Sequence, residues 1–109
     1  VLQIHGKLDN TVPYEGSLGM KPIKEVIAYW SQHNRCNSTP TEKPIIDSDG
    51  DGDGGTQSSY SGCLKSAEVT LTLLDGMGHE WPVSSAHDID ASLTIWNFLS
   101  QYDRYGLIE

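Results

Sequence analysis

Two loop segments of this sequence contain the side chains best suited to acid–base chemistry. In "DGMGHEWP", His79 follows two glycines just after an apolar run, and in "HGKLDN", Asp9 follows another apolar run. An imidazole that is held at one nitrogen by a carboxylate has a fixed tautomer, and its other nitrogen is free to act as a general base. The two residues are therefore a candidate pair for proton transfer, provided that the fold brings them together.

Each of these residues also has a simpler explanation. A lone histidine is most often structural or solvated, and Asp9 before Asn10 has the composition of an ordinary turn. The position of His79 favours a functional role, because a turn that follows a sheet strand lies at the edge where α/β folds keep their sites. Gly76 and Gly78 are expected to permit a tight turn and a close backbone approach there. We favour catalysis for the pair.

The elements that must position this pair can be read from the apolar patterns. The run "VLQIH" at residues 1–5 predicts a buried strand, and "EVTLTLL" at residues 68–74 predicts a second one. A helix is expected from Pro22 to about His33, since proline suits a first helical turn. Its apolar face follows helical spacing and consists of Ile23, Val26, Ile27 and Trp30.

A closing helix is expected at residues 91–103, with Asp90 as its N-cap. Its buried side should comprise Leu93, Trp96, Phe98 and Leu99. Residues 37–62 are polar and lack periodicity, which predicts a long surface loop. The order strand, helix, loop, strand, helix is typical of α/β architecture with a parallel strand pair.

Both strands of a parallel pair end at the same edge of the sheet, so Asp9 and His79 are expected to approach each other. Two parallel strands make too little sheet to stand alone. The chain also begins within a strand-like run, without a leader or an initiator methionine. We therefore expect a piece of a longer protein, which either needs a missing N-terminal half or self-associates through its open sheet edge.

Length and charge exclude several classes of function. The 109 residues suffice for one small domain, and no apolar run approaches the roughly 18 residues that a membrane span needs. The net charge is −8, without a basic cluster. Such a chain is a poor candidate for binding nucleic acid, since phosphate binding needs clustered Lys and Arg.

The motifs around the two candidate residues resemble a known family. "HGKLDNTVPYEG", "DGMGHEWP" and "DIDASLTIWNFL" are similar to the C-terminal part of secreted α/β-hydrolase esterases of the polyhydroxybutyrate depolymerase and feruloyl esterase family. That family's motif HG-x-x-D-x-x-V-P-Y is matched by His5, Gly6, Asp9, Val12, Pro13 and Tyr14. Its motif G-x-G-H-x-W-P is matched by Gly76, Gly78, His79, Trp81 and Pro82. The resemblance covers nearly the whole chain except residues 38–58.

The resemblance implies a single partial α/β-hydrolase domain over residues 1–109, with a loop insertion at about 37–62. It implies that the parent protein hydrolyses carboxylic esters through an acyl-serine, with His79 as general base and then acid and Asp9 orienting it. Tyr14 and Trp81 would line the acyl or alcohol pocket, or else serve only in packing. The implied location is secreted, extracellular or periplasmic, and the catalysis requires no cofactor.

The nucleophile of such an enzyme is the part that this sequence lacks. Hydrolases of this fold place serine in a G-x-S-x-G turn, ahead of the aspartate and the histidine along the chain. "EGSLG" around Ser17 and "SYSGC" around Ser61 do not fit that motif, and both serines are expected to be loop residues. The chain alone should therefore not turn over ester. The alternative is a non-catalytic secreted module, with or without stabilisation by calcium.

Cys36 and Cys63 are the only cysteines, and their spacing does not match a C-x-x-C metal or redox site. In a cytosolic protein two free thiols would be unremarkable. The family resemblance instead implies a disulfide, because its secreted members carry one in the corresponding place. Such a bridge would stabilise the chain by about 3 to 4 kcal/mol in the chain-entropy estimate.

The tract "DSDGDGDGG" suggests a calcium loop, in which carboxylates at positions 1, 3 and 5 precede a glycine. The candidate ligands are Asp47, Asp49, Asp51 and Asp53. No glutamate lies at the twelfth position, so a solvated acidic linker remains the alternative, and any affinity should be millimolar. "HEWPV" is not a zinc motif because it lacks the second histidine. His33 and His87 are expected at the surface.

Overall fold

The computed structural model describes residues 1–108 as a mixed α/β domain with two helices and a four-stranded sheet. A short 3-10 turn spans Leu64–Ser66, and a two-stranded hairpin lies near the C-terminal end. In chain order the elements are β1 Leu2–Gly6, α1 Ile23–His33, β2 Thr41–Ile45, β3 Gly55–Tyr60, β4 Val69–Leu74, α2 Ala91–Leu99, β5 Tyr102–Asp103 and β6 Gly106–Leu107. Neither helix in this part of the chain has the length and apolar content of a membrane span.

The predicted parallel strand pair is confirmed. The sheet order is β1-β4-β3-β2, and β1 runs parallel to β4, with His5 opposite Leu73 and Gly6 opposite Leu74. Strand β3 runs antiparallel to β4, and β2 runs antiparallel to β3. The carboxyl ends of β1 and β4 therefore lie side by side, where the loops carrying the two candidate residues begin.

The prediction of a structureless loop at residues 37–62 is wrong, because that segment contains β2 and β3. These strands form a hairpin that adds two antiparallel strands to the parallel pair. Strand β2 includes Pro44, which is tolerated because β2 is an edge strand. Only the tip of the hairpin, with its aspartates, is a loop.

Helix α1 covers one face of the sheet, as its apolar spacing predicted. Ile23 and Ile27 are buried against Val69 and Leu71 of β4, and Trp30 packs at the margin of this cluster. Ile23, Ile27, Val69 and Leu71 are four of the five buried members of this cluster, and their burial favours the packing of α1 on the sheet.

Helix α2 has the predicted N-cap but not the predicted burial. The Asp90 carboxylate accepts a hydrogen bond from the Leu93 amide at 2.9 Å. The helix ends at Leu99 rather than near residue 103. Leu93, Trp96 and Leu99 are 58%, 67% and 56% exposed, and Phe98 is half-buried. They are exposed because α2 contacts the sheet mainly beside β1, and within residues 1–108 no element covers its outer face.

The disulfide implied by the resemblance is present between Cys36 and Cys63. It lies at the base of the β2–β3 hairpin, where the Asn37 amide also donates to the Ser61 carbonyl at 2.8 Å. The bridge thus fixes both ends of the hairpin to the end of α1.

Candidate active site

The turn that carries His79 is anchored on the end of β1. The Leu8 amide donates to the Met77 carbonyl at 3.0 Å, and the Lys7 amide donates to the Leu74 carbonyl at 2.8 Å. Met77 is only 2% exposed and holds the turn to the core. A methyl group on Gly6 would overlap the carbonyl oxygens of Met77 and Gly78. Glycine at position 6 is therefore what allows the two loops to approach this closely.

The glycines of the His79 turn differ in their roles. A Cβ on Gly78 would lie 3.8 Å from its nearest neighbour, a Glu80 oxygen, so steric crowding does not require glycine there. A Cβ on Gly76 would lie 2.8 Å from the Gly52 carbonyl oxygen, which is too close. The expected close approach thus occurs at Gly6 and Gly76, and the expectation for Gly78 was wrong.

The two candidate residues meet across the edge of the sheet. Nδ1 of His79 lies 2.8 Å from Oδ2 of Asp9. A carboxylate can only accept, so Nδ1 carries the proton and Nε2 has a free lone pair. The Asp9 side chain is 4% exposed and the His79 side chain 58% exposed. The predicted contact is present, with the aspartate buried beneath the ring and the ring open to solvent.

The other carboxylate oxygen of Asp9 is occupied by its own turn. Oδ1 accepts hydrogen bonds from the amides of Thr11 and Val12, each at 2.8 Å. Burial alone would raise the pKa of Asp9, but the hydrogen bonds from Val12, His79 and Thr11 outweigh it and lower the pKa to about 2. The carboxylate is thus charged at neutral pH and oriented toward His79.

His5 is a residue of this site that the acid–base reasoning did not single out. Its ring is 6% exposed, and its Nε2 lies 2.8 Å from the Val12 carbonyl oxygen and 3.6 Å from Oδ2 of Asp9. The amide nitrogen of Gln3 lies 3.3 Å from Nδ1. The signal for His5 in the sequence was its place in the matched "HG" motif, next to Gly6.

Comparison of the chain with protein-family models, with curated proteins and with solved structures found no match. The resemblance to the esterase family thus depends on the short motifs alone. A function must be inferred from the geometry of the site itself.

Within residues 1–108, Tyr14 and Trp81 line different cavities. Tyr14 is buried in the core cluster and lines a cavity of about 390 Å³ beneath α1, together with Tyr60 and Leu73. Trp81 is 60% exposed and borders a different cavity of about 260 Å³ beside β1. The packing alternative describes Tyr14 well, whereas Trp81 lies close to His79 in sequence and remains available for contact.

Ser17 and Ser61 lie in loops, as expected. The amide and carbonyl of Ser17 pair with those of Met20 in a tight turn. The carbonyl of Ser61 accepts from Asn37 at the base of the hairpin. Ser17 lies outside any strand-to-helix turn. Ser61 lies between β3 and the 3-10 turn but lacks both glycines of a nucleophile elbow, since Ser59 and Cys63 occupy those positions.

Three of the four predicted calcium ligands come together at the hairpin tip. Carboxylate oxygens of Asp47, Asp49, Asp51 and Asp88 all lie within 4.8 Å of one another. Asp88 reaches the tip from the segment before α2, and its Oδ1 accepts from the amide and the hydroxyl of Ser48 at 3.0 and 2.8 Å. The sequence offered no sign of Asp88, because it lies 37 residues beyond Asp51.

The carboxyl groups of this cluster affect one another. Asp47 accepts from the Gly52 amide, and this and other hydrogen bonds lower its pKa. Asp49 accepts from the Asp51 amide, which lowers its pKa, but burial and the neighbouring carboxyls of Asp51 and Asp47 raise it above the usual value overall. This is the behaviour of like charges that share a site.

Asp53 lies apart from this cluster and is buried at 7% exposure. Its Oδ2 is 3.8 Å from Nε2 of His87, whose side chain is only 7% exposed. Burial raises the pKa of Asp53, and the charges of Asp88 and Glu80 add to that effect, while His87 opposes it. Asp53 therefore does not join the cluster of the other three predicted ligands. The prediction that His87 is a surface residue was wrong.

Proposed function

We propose that this chain supplies the acid–base half of a serine carboxylic-ester hydrolase, and that its fold is the C-terminal portion of an α/β-hydrolase. One observation carries the proposal: Nδ1 of His79 is 2.8 Å from the buried Asp9 carboxylate, at the carboxyl ends of two parallel strands. Ligand sites in α/β sheets lie at that edge. The motif resemblance supports the same assignment of the two residues.

In the proposed reaction, Nε2 of His79 removes the proton from a serine hydroxyl as that oxygen attacks the ester carbonyl. The imidazolium that forms is stabilised by Asp9, which stays ionised because its pKa is about 2. The imidazolium then gives its proton to the departing alcohol. A water molecule repeats the sequence to release the acid from the acyl-serine.

The nucleophile and the oxyanion donors are expected on a polypeptide segment outside this sequence. The exposed ring of His79 supports this, because its Nε2 makes no hydrogen bond within residues 1–108 and is open to a partner. A catalytic serine must place its oxygen about 2.6–3.2 Å from that nitrogen. The disulfide supports an oxidising location such as the extracellular space or the periplasm.

The test is to determine the coding sequence that precedes Val1 and to express the longer polypeptide. We expect a G-x-S-x-G serine that a fluorophosphonate probe labels, and hydrolysis of p-nitrophenyl acetate. Asp9→Asn should lower kcat by about 10⁴-fold, as in the well-studied serine proteases, and His79→Ala by at least as much. His33→Ala is the matched control, since His33 is exposed on α1 far from the pair in sequence. A longer polypeptide without such a serine and without turnover would favour the non-catalytic module.

The isolated chain provides a second check. Residues 1–109 should hydrolyse p-nitrophenyl acetate at the background rate, because the pair has no nucleophile to activate. Turnover by the isolated chain that disappears in His79→Ala would contradict the missing-serine part of the proposal. It would direct the search for a nucleophile to the serines of this chain, beginning with Ser17.

A further inference from the structure

We propose that His5 is a positioning residue of the Asp9–His79 pair, and that its ring fixes the turn at residues 9–12 so that Oδ2 of Asp9 faces His79. This inference rests on the proposed function, since it assigns His5 a part in the same site. His5 touches neither the exposed nitrogen of His79 nor any position for a substrate there, so its action is through Asp9.

The turn is closed by hydrogen bonds on both sides of Val12. Its amide donates to Oδ1 of Asp9, and its carbonyl lies 2.8 Å from Nε2 of His5. His5 belongs to β1, which is held in the sheet by its pairing with β4. The ring thus ties the turn to the sheet. The amides of Thr11 and Val12 occupy Oδ1 of Asp9, so Oδ2 is the oxygen left for His79.

The hydrogen-bond partners also settle where the His5 proton lies. A backbone carbonyl only accepts, so Nε2 of His5 carries the proton that it shares with Val12. The Gln3 amide nitrogen donates to Nδ1 on the other side of the ring. The same Nε2–H group is 3.6 Å from Oδ2 of Asp9. This distance is too long for a hydrogen bond, but it places the positive end of the N–H dipole beside the carboxylate.

Burial makes these contacts consequential. The side chains of His5 and Asp9 are 6% and 4% exposed, so water does not replace a lost partner easily. With an apolar side chain at position 5, the Val12 carbonyl would be unpaired beside a buried carboxylate. The turn would then have to rearrange, and Asp9 would lose its aim at His79. A glutamine can place its amide nitrogen near the position of Nε2, whereas asparagine is too short to do so.

The test uses the whole chain with ¹⁵N-labelled histidine. The readout is the NMR signal of the His79 Nδ1 proton, which a hydrogen bond to a carboxylate shifts downfield and protects from exchange. We expect this signal in the wild type and in His5→Gln, and its loss in His5→Leu and His5→Asn. His33→Gln, at an exposed histidine on α1, is the control that should keep the signal. Near-UV circular dichroism identifies the variants that remain folded.

The outcomes separate the inference from the proposed function. A folded wild type without the signal would mean that the Asp9–His79 pair does not form, which overturns the proposed function. A signal that is present in the wild type and persists in folded His5→Leu or His5→Asn would overturn the role of His5 alone. If neither variant folds, the wild type still decides through a scalar coupling between Nε2 of His5 and the carbonyl carbon of Val12. Absence of that coupling would also overturn the inference.

Discussion

At the scale of single residues, the charge of Asp9 governs both the proposed chemistry and a part of the stability. The pKa of Asp9 is lowered from 3.8 to about 2 in the folded chain, so the native state favours the ionised form. Such a group contributes its full stabilisation above the unfolded value, and the contribution disappears as the pH falls through the folded value. The stabilisation by ionised Asp9 is thus lost as the pH falls from about 4 to about 2.

This predicts how the Asp9→Asn variant behaves with pH. Above pH 5 the variant should melt at a lower temperature than the wild type. The amide nitrogen of asparagine would stand in place of Oδ2, and it cannot accept the hydrogen bond that His79 donates. The difference should shrink between pH 4 and pH 2 as Asp9 of the wild type takes up a proton. Thermal melts of both proteins across this range are the measurement, with Asp75→Asn, at an exposed aspartate, as the control. A difference that stays constant down to pH 2 would contradict the lowered pKa.

A pair of glycine substitutions tests what positions His79. Gly6→Ala should destabilise the chain by about 1–3 kcal/mol, because its methyl group would overlap the backbone of the His79 turn. Gly78→Ala is the matched control and should change stability by only about 0.5 kcal/mol, since its methyl group meets no close atom and its φ is not positive. Urea unfolding measures both, and equal losses in the two variants would show that the close approach at Gly6 is not the constraint.

At the scale of elements, the sequence predicted the helices and strands that have a regular pattern of apolar residues. It missed the strands that form only because they pair with a neighbouring strand. Helix α1 and the strands β1 and β4 have apolar residues at helical or strand spacing, so their hydrophobic pattern is local information. Strand β3, "GTQSSY", is polar, and β2 contains Pro44. Strand β3 forms because it pairs with the edge of β4, and β2 in turn pairs with β3. Strand preference depends strongly on such context.

The candidate site divides in the same way. Asp9 and His79 were predictable because each follows a strand with a recognisable apolar pattern, and parallel strands end together. The contribution of Asp88 to the aspartate cluster could not be predicted. The return of residue 88 to the hairpin tip depends on how the whole segment before α2 folds. The sequence also could not predict that Asp53 lies apart from the cluster. Its side chain turns inward to His87, although Asp51, two residues earlier, belongs to the cluster.

The hairpin tip carries the prediction of a weak calcium site, now with Asp88 beside Asp47, Asp49 and Asp51. Millimolar Ca²⁺ should raise the melting temperature by mass action, and Asp49→Ala or Asp88→Ala should abolish that rise. Asp53→Asn should leave it intact, because Asp53 lies outside the cluster. Removal of Ca²⁺ with a chelator should return the melting temperature to its starting value. The absence of both a thermal shift and a calorimetric heat at millimolar Ca²⁺ would leave only the acidic linker.

At the scale of the whole molecule, the two edges of the sheet differ in how they meet solvent. Strand β2 carries Pro44 and the charged residues Glu42 and Lys43, which discourage pairing with another strand. Strand β1 pairs only with β4 within residues 1–108, and its residues 2–4 include neither a charge nor a proline. The outer face of α2 is apolar and exposed close to this open edge.

The open edge leads to the prediction that the isolated chain self-associates. Val1 and Lys7 bond to β4, and because parallel pairing uses alternate residues, the amide of Ile4 faces outward. Ile4→Pro should therefore remove an outward donor without breaking a bond to β4, and it should reduce association if the strand edges pair. Trp96→Lys should reduce it instead if the exposed face of α2 is the contact, whereas Leu18→Lys, at a fully exposed loop position, should change nothing. Light scattering at several concentrations measures the mass of each protein. A wild type that is strictly monomeric and unfolds cooperatively at every concentration would contradict the prediction, because the edge of β1 would then be stable in water without a partner.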